Sequence, residues 1–304
     1  MIAESQMLIK PRKALSALSL HPLITMRLTA KDEVQVQQFL TERALHNAVM
    51  NGLIMDNGLD GKFNRGTFYG CRDAAAGTLV GVALIGHGVF IDARCEEALR
   101  QFVKLAQNFS KAHMLMGEQE MIERFWQLYA PKGQPSRRIC REVLFELTEP
   151  SGPSDEAANL RLAQISDLSL VVPVHAAMAF EESGVNPLEV DANGFRERCL
   201  RRIEKQRTWV LVEQNKLIFK ADIISDTSEV VYLEGIYVDP DQRRKGLGSK
   251  CLMQLTRTLL NRSKSVSVLV NQERRPAQAF YEKLGFVSRG LYDTIFLRTD
   301  LELT

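Results

Sequence analysis

A chain of 304 residues with 45% hydrophobic residues is long for one compact domain and suits two. Its 39 lysines and arginines stand against 37 aspartates and glutamates, a net charge of +2, and no long run of one sign indicates a nucleic-acid surface or a polybasic membrane contact. No window is apolar enough to cross a bilayer, so no membrane partner is expected. The five cysteines, Cys71, Cys95, Cys140, Cys199 and Cys251, are scattered and never spaced Cys-x-x-Cys, which fits a reducing cytoplasm. The five histidines show no metal-ligand spacing, and no metal is expected.

In chain order, Lys10, Arg12 and Lys13 precede the apolar stretch ALSALSLHPLI, a layout faintly like a secretory signal. His21 and Pro22 cut that stretch short without a small-residue cleavage pattern, so residues 1–24 read as a loosely docked tail. Met26 to Thr29 predicts a short strand before a helix opened by Asp32, and Thr67 to Ile85 predicts a hairpin. Gly88 to Asp92 reads as a strand that runs into Ala93-Arg94-Cys95-Glu96-Glu97, a helix start with two carboxylates and no glycine pair. His113 to Tyr129 predicts a strand followed by a helix carrying Trp126. Pro, Ser, Gly and acidic residues from Glu149 to Leu160 mark the domain boundary.

Beyond that boundary the plan repeats. Leu160-Arg161-Leu162-Ala163 before Asp167 parallels Met26 to Thr29 before Asp32, and Thr208 to Ile224 reads as a second hairpin. Between them lie a helix end and turn, Ala179 to Val190, with Glu181 and Glu182, then an amphipathic helix with a basic face, Phe195 to Arg207. The two carboxylates either attract a cationic amine or sit on a solvated helix end.

The most informative stretch is Val231 to Leu252. A strand ends at Val238, Asp239 and Pro240 break it, and Arg243-x-x-Gly246-x-Gly248 opens a helix with apolar Leu247, Cys251, Leu255 and Leu259. Glycines there let the backbone approach a ligand, and free N–H groups at the helix start add partial positive charge, a fit for a diphosphate. The pattern lacks the Gly-Lys-Ser/Thr ending of a nucleotide triphosphatase loop and one glycine of the dinucleotide fingerprint. A second segment follows: the strand of Val266, Val268 and Val270, then Asn271, then a helix with Ala277, Phe280, Tyr281 and Leu284, closed by Gly285 and Phe286.

These two motifs, in this order and spacing, resemble the GNAT superfamily of acetyl-CoA-dependent N-acetyltransferases, and the whole chain resembles bacterial tandem members with a degenerate N-terminal lobe. The resemblance implies an α/β (α+β) architecture of two GNAT-like lobes, 25–150 and 158–304, each a mixed, mostly antiparallel sheet with helices on both faces. The second lobe would end in strands around Phe286 to Leu297. It implies that the backbone of Ile236, Tyr237 and Val238 pairs with the pantetheine arm, and that Arg243, Arg244, Lys245, Gly246, Leu247, Gly248 and Ser249 form the diphosphate cradle. Asn271, Ala277 and Phe280 would complete the coenzyme site. Arg274 stands where a second Asn is usual, either as an added coenzyme contact or as a solvated side chain.

Tyr281 would be the acid that protonates the departing thiolate, a task that suits a phenol with a reference pKa of about 10. Glu234 shares a strand face with Tyr232 and Ile236 and is the candidate base, or else a charged residue on a solvated face. The acceptor is a primary amine on a small molecule, peptide or protein terminus. A non-catalytic acetyl-CoA sensor and an aminoacyl transferase are the competing functions, the modest charge speaking against transfer RNA. The first lobe, with Glu96 and Glu97 in place of a cradle, is expected not to bind acetyl-CoA; it would wall the acceptor site or take the place of a second subunit. Neither the oligomeric state nor the acceptor is legible.

Overall fold

A computed structural model of the protein describes residues 22–150 and 159–298. Most of the expected tail and of the linker from Glu149 to Leu160 falls outside these residues. The first half runs β1 (Leu23–Arg27), α1 (Glu33–Thr41), α2 (Ala48–Asn57), β2 (Gly66–Asp73), β3 (Leu79–Gly86), β4 (Gly88–Ala93), α3 (Glu96–Gln107), β5 (Met114–Glu118), α4 (Gln119–Tyr129) and β6 (Ser136–Leu147). The second half runs β7 (Arg161–Leu162), α5 (Leu168–Ser183), α6 (Pro187–Glu204), β8 (Thr208–Glu213), β9 (Lys216–Asp226), β10 (Val230–Val238), α7 (Leu247–Leu260), β11 (Ser265–Asn271), α8 (Arg275–Lys283) and β12 (Val287–Leu297).

Both expected hairpins form, as β2–β3 and β8–β9, the latter turning through Gln214 and Asn215 at φ 46° and 61°. The helix predicted over Phe195 to Arg207 is preceded by a short helical turn from Pro187, capped by Asn186, which accepts the Leu188 N–H at 3.1 Å; the two meet at a kink at Asp191, φ −157° and ψ 73°, whose side chain accepts the Gly194 N–H at 2.9 Å. Apolar residues alternate along the strands and feed cores on both faces. Val82 and Leu84 of β3 face α1 and α2, while Ala83 and Ile85 face α3 and α4. In the second half Phe219, Ala221 and Ile223 of β9 face α7, and α5 with α6 covers the other side.

The two halves share one sheet of 12 strands in the order β1-β2-β3-β4-β5-β12-β6-β11-β10-β9-β8-β7. Only β4–β5 and β10–β11 run parallel among the described pairs. The order records a reciprocal exchange. β6, from the first half, pairs with β11 of the second, and β12, from the second, pairs with β5 of the first. The strand at the end of the chain therefore completes the first half rather than the second, because local alternation fixes a strand but not its partner. Side chains follow the backbones: Val143, Phe145 and Leu147 of β6 lie in the core beneath α7 and α8, while Ile295 and Leu297 of β12 lie in the core of the first half. Helix α2 extends the contact, since a Cβ on Gly52 would lie 2.4 Å from Ser225 Oγ on β9.

Phe145, 1% exposed, stacks on Tyr281 across the exchange at 6.1 Å between ring centroids. Truncating it to Ala should cost about 3–5 kcal/mol of stability. Separately expressed halves, each missing a central strand, should be insoluble alone and copurify as a complex when coexpressed. Pull-down and thermal melting check both outcomes.

Candidate active site

The site is built on a break in the parallel pair β10–β11. Register runs from Val230↔Ser265 to Leu233↔Val268 and stops there, although both strands continue. The cause is a bulge in β10: Glu234 pairs with Asp222 of β9 and Tyr237 with Lys220, so Gly235 and Ile236 oppose the single residue Ala221. Gly235 sits at φ 59°, a conformation that favours glycine, and a Cβ there would lie 2.8 Å from Lys220 Nζ. The strands splay beyond this point. Among the described residues no strand pairs with the backbone of Ile236, Tyr237 and Val238 on the β11 side, which leaves an edge able to receive an extended ligand.

At the end of the splayed strand the chain turns through Pro240–Gln242, with Asp239 accepting the Asp241 N–H at 3.1 Å and Lys216 bridging Asp239 and Asp241. Arg244 and Gly246 both take left-handed backbone, φ 62° and 81°, and α7 begins with no side-chain cap. Among the described residues no acceptor takes the amides of residues 244–249; the first bond inward is Lys250 N–H to the Gly246 carbonyl at 3.1 Å. A left-handed turn leading into an uncapped helix start is an anion-binding concavity. Gly248 is needed for its approach, because a Cβ would lie 2.9 Å from Val238 Cγ2 and 3.9 Å from the Phe280 ring. The Arg243 side chain folds back, Nε donating to the Val238 carbonyl at 3.1 Å.

The other wall is β11 and α8. The Asn271 side chain accepts the Glu273 N–H at 2.8 Å and so opens α8, whose Ala277 and Phe280 pack half-buried against the core. Tyr281 is 9% exposed, edge-on to Phe280 and Phe286, and its hydroxyl has no partner among the described residues. Burial raises its pKa, so it stays protonated at neutral pH. Arg274 does not lean toward the cradle: its guanidinium bonds the exposed Glu181 carboxylate of α5.

Sequence reading gave no sign of Glu142. On β6 it pairs with Asn271 in register, so the strand exchange puts a first-half carboxylate at the mouth of the splay. Thr294 donates to Glu142 at 2.8 Å, and Tyr232 donates to Glu234 at 2.8 Å. Burial raises Glu142 to about 7, with Glu234 and Asp293 adding repulsion. The crowding of the cleft also raises Glu234, against the hydrogen bond from Tyr232; its side chain is exposed, and solvent screens part of that effect. Glu182 is pushed up by the crowding of the cleft, then by Glu234 and Glu142; it keeps access to solvent, which screens part of that effect. These side chains come from β6, α5 and β10, three stretches far apart in sequence.

The same region of the first half is filled. Arg43 bonds Asp92 at 3.0 Å and also Glu118, Asn47 bonds Asp92 at 2.6 Å, and His46 meets the Tyr292 hydroxyl at 2.9 Å. A small void of about 30 Å³ remains among them, lined also by Tyr232, Ser267 and Leu269 of the second half. Helix α3 starts at Glu96, which Arg124 and Arg100 hold in ion pairs, and Trp126 packs beside Tyr129. Among the described residues no group of His, Cys, Asp and Glu could hold a metal ion, and no helix is long and apolar enough to cross a membrane.

Residues 176–286 match the Acetyltransferase (GNAT) family, so the second half carries a domain of that family. A UPF0039 protein of Schizosaccharomyces pombe is 31% identical over 71 residues, 23% of this chain and 47% of that protein; the chain thus spans about half the length of the curated relative it matches. Solved structures with the same fold include a GNAT-family acetyltransferase from Colwellia psychrerythraea, at 14% identity and TM-score 0.52, covering 91% of this chain and 100% of that one. A tandem GNAT protein from the clavulanic acid biosynthesis pathway is 14% identical with TM-score 0.54, covering 90% and 98%. The architecture is that of the GNAT acetyltransferases, a mixed and mostly antiparallel sheet flanked by helices.

Calorimetric titration of the whole chain with acetyl-CoA should give about one site per chain, since the start of α3 in the first half, although also uncapped, carries Glu96 and Glu97 in its first turn, whose charge repels an anion. Gly248→Val, which forces α7 away from β10, should weaken that binding by about tenfold or more. A stoichiometry near two would show that the first half binds as well.

Proposed function

We propose that this protein is an acetyl-CoA-dependent N-acetyltransferase in which the lobe 158–304 transfers an acetyl group to a primary amine by direct attack on the thioester. The lobe 25–150 is its degenerate counterpart. The observation that carries this reading is the splay of β10 from β11, with an unpaired strand edge running into the open amides of residues 244–249. An extended amide-containing arm ending in a diphosphate matches both parts, and acetyl-CoA supplies the activated acyl group there. Five buried, unpaired cysteines support a reducing compartment such as the cytoplasm.

The residues divide the work. Amides of residues 244–249 hold the diphosphate, with Arg243, Arg244 and Lys245 adding charge, and Ile236, Tyr237 and Val238 pair with the arm. Asn271, Ala277 and Phe280 form the opposite wall. Tyr281, buried, protonated and unpartnered, donates its proton to the leaving thiolate. Glu234, facing the acceptor side, accepts a proton from the incoming ammonium directly or through water, and its raised pKa makes it a stronger base than an ordinary carboxylate. Glu142 and Glu182 lie beside it with their pKa raised by burial and mutual repulsion, and a cation entering among them would favour their ionised forms, which supports a cationic acceptor, a small amine or a peptide amine. Glu181 is engaged by Arg274 and stands apart from this group.

Thiol release from acetyl-CoA across a panel of amines tests the assignment. Tyr281→Phe should lower kcat by about 10²-fold or more while acetyl-CoA affinity stays within about twofold. If the wild type binds acetyl-CoA yet no amine releases thiol, the non-catalytic acetyl-CoA-binding reading replaces this one.

The acceptor kcat/KM should rise with pH as Glu234 loses its proton. In Glu142→Gln that limb should move to lower pH, because removing a neighbouring negative charge makes Glu234 easier to ionise. An unmoved limb would separate Glu142 from the base.

A further inference from the structure

The side chain beneath the bulge has no part in the scheme above. Lys220, on β9, is 0% exposed, and so is its partner Asp222. Lys220 Nζ bonds the Asp222 carboxylate and also donates to the Gly235 carbonyl at 3.2 Å. That carbonyl belongs to the bulged residue, which β9 cannot pair in register. Asp222 is itself tied down by Thr208 Oγ1 at 2.8 Å and by Arg202 of α6 at 3.0 Å. His175 of α5 lies 3.5 Å from Lys220 Nζ and 3.3 Å from Arg202. The ammonium thus joins the bulged strand to α5 through His175 and, by way of Asp222, to Arg202 of α6.

A lysine in this position is costly. Taking an ammonium out of water is unfavourable, and an apolar side chain of the same length would fill the space more cheaply. What an apolar chain cannot do is satisfy the Gly235 carbonyl, which would otherwise turn or fall back into register. Resting on the acetyltransferase reading, we propose that Lys220 is a positioning residue: it fixes the Gly235 bulge that holds β10 open to the pantetheine arm, and it places positive charge behind Glu234.

The second effect follows from the charges around Glu234. Tyr232 donates to it from β10, Arg202 of α6 and Lys220 of β9 face it with positive charge, and Asp222 of β9, Glu142 of β6 and Glu182 of α5 face it with negative charge. His175 of α5, pushed down to about 3 by burial and by Lys220 and Arg202, contributes no charge at neutral pH. Lys220 and Arg202 share the single carboxylate of Asp222, so the group carries a surplus of one positive charge, and Lys220 adds to Arg202 in easing ionisation of Glu234.

The test compares two ligands on the full chain. Acetyl-CoA needs both the cradle and the splayed strand, whereas 3′-phospho-ADP, the coenzyme's nucleotide without its arm, needs the cradle alone. Lys220→Met should weaken acetyl-CoA binding by about tenfold and leave 3′-phospho-ADP within about twofold, the loss belonging to one orphaned carbonyl and the strand it holds. Lys220→Gln keeps a donor for Gly235 without the charge. It should bind acetyl-CoA more tightly than the Met variant while moving the acid limb of kcat/KM to higher pH. Circular dichroism checks the fold, and if the Met variant does not fold, the Gln variant decides. Unchanged acetyl-CoA binding in a folded Met variant overturns the proposal, as does an unmoved pH limb or an equal loss of both ligands in the Gln variant. A wild-type chain that binds neither ligand removes instead the acetyltransferase reading beneath it.

Discussion

The pairing of β10 with β11 ends at Leu233 and Val268, and the rest of the site depends on that ending. Two parallel strands in register satisfy each other's amides and carbonyls, leaving nothing for a ligand. The extra residue at Gly235 and Ile236 turns β10 out of register, and the exposed edge becomes a binding surface. The cradle at residues 244–249 lies where the splayed strand runs out, so one irregularity sets the path of an extended ligand and the place of its anionic end.

The strand exchange gives the weak internal repeat a physical meaning. Each half lacks the strand that would cover the edge of β5 or β11, and each receives it from the other half. β6 and β12 lie side by side at the centre of the sheet, with Tyr292 opposite Glu142. The row Glu118, Tyr292, Glu142, Asn271 thus crosses from one half to the other. A first half without its own cradle still contributes a central strand, the Phe145 ring behind Tyr281 and a carboxylate at the cleft mouth.

Electrostatics separates the two halves more sharply than their shape does. In the first, Arg43 neutralises Asp92 and Glu118, and side chains occupy the space. In the second, Lys220 and Arg202 surround Asp222 below the strand, while Glu142, Glu182 and Glu234 face the cleft with raised pKa. Carboxylates so crowded repel one another and hold their protons more tightly than solvated ones.

The sequence by itself determined the local elements and the glycine turn that opens α7. Alternation marked the hairpins, glycine spacing marked Gly246 and Gly248, and the Asn271 to Phe286 segment marked the opposite wall, because backbone freedom and side-chain period are properties of neighbours in the chain. Only the tertiary structure decided the partners. It sent β12 to the first half, brought Glu142 beside Asn271, drew Arg274 to Glu181 and set Lys220 under Gly235. Strand register and charge pairing are settled by contacts between residues distant in sequence. A lysine and an aspartate at alternate positions of a strand look alike whether they face solvent or form a buried ion pair.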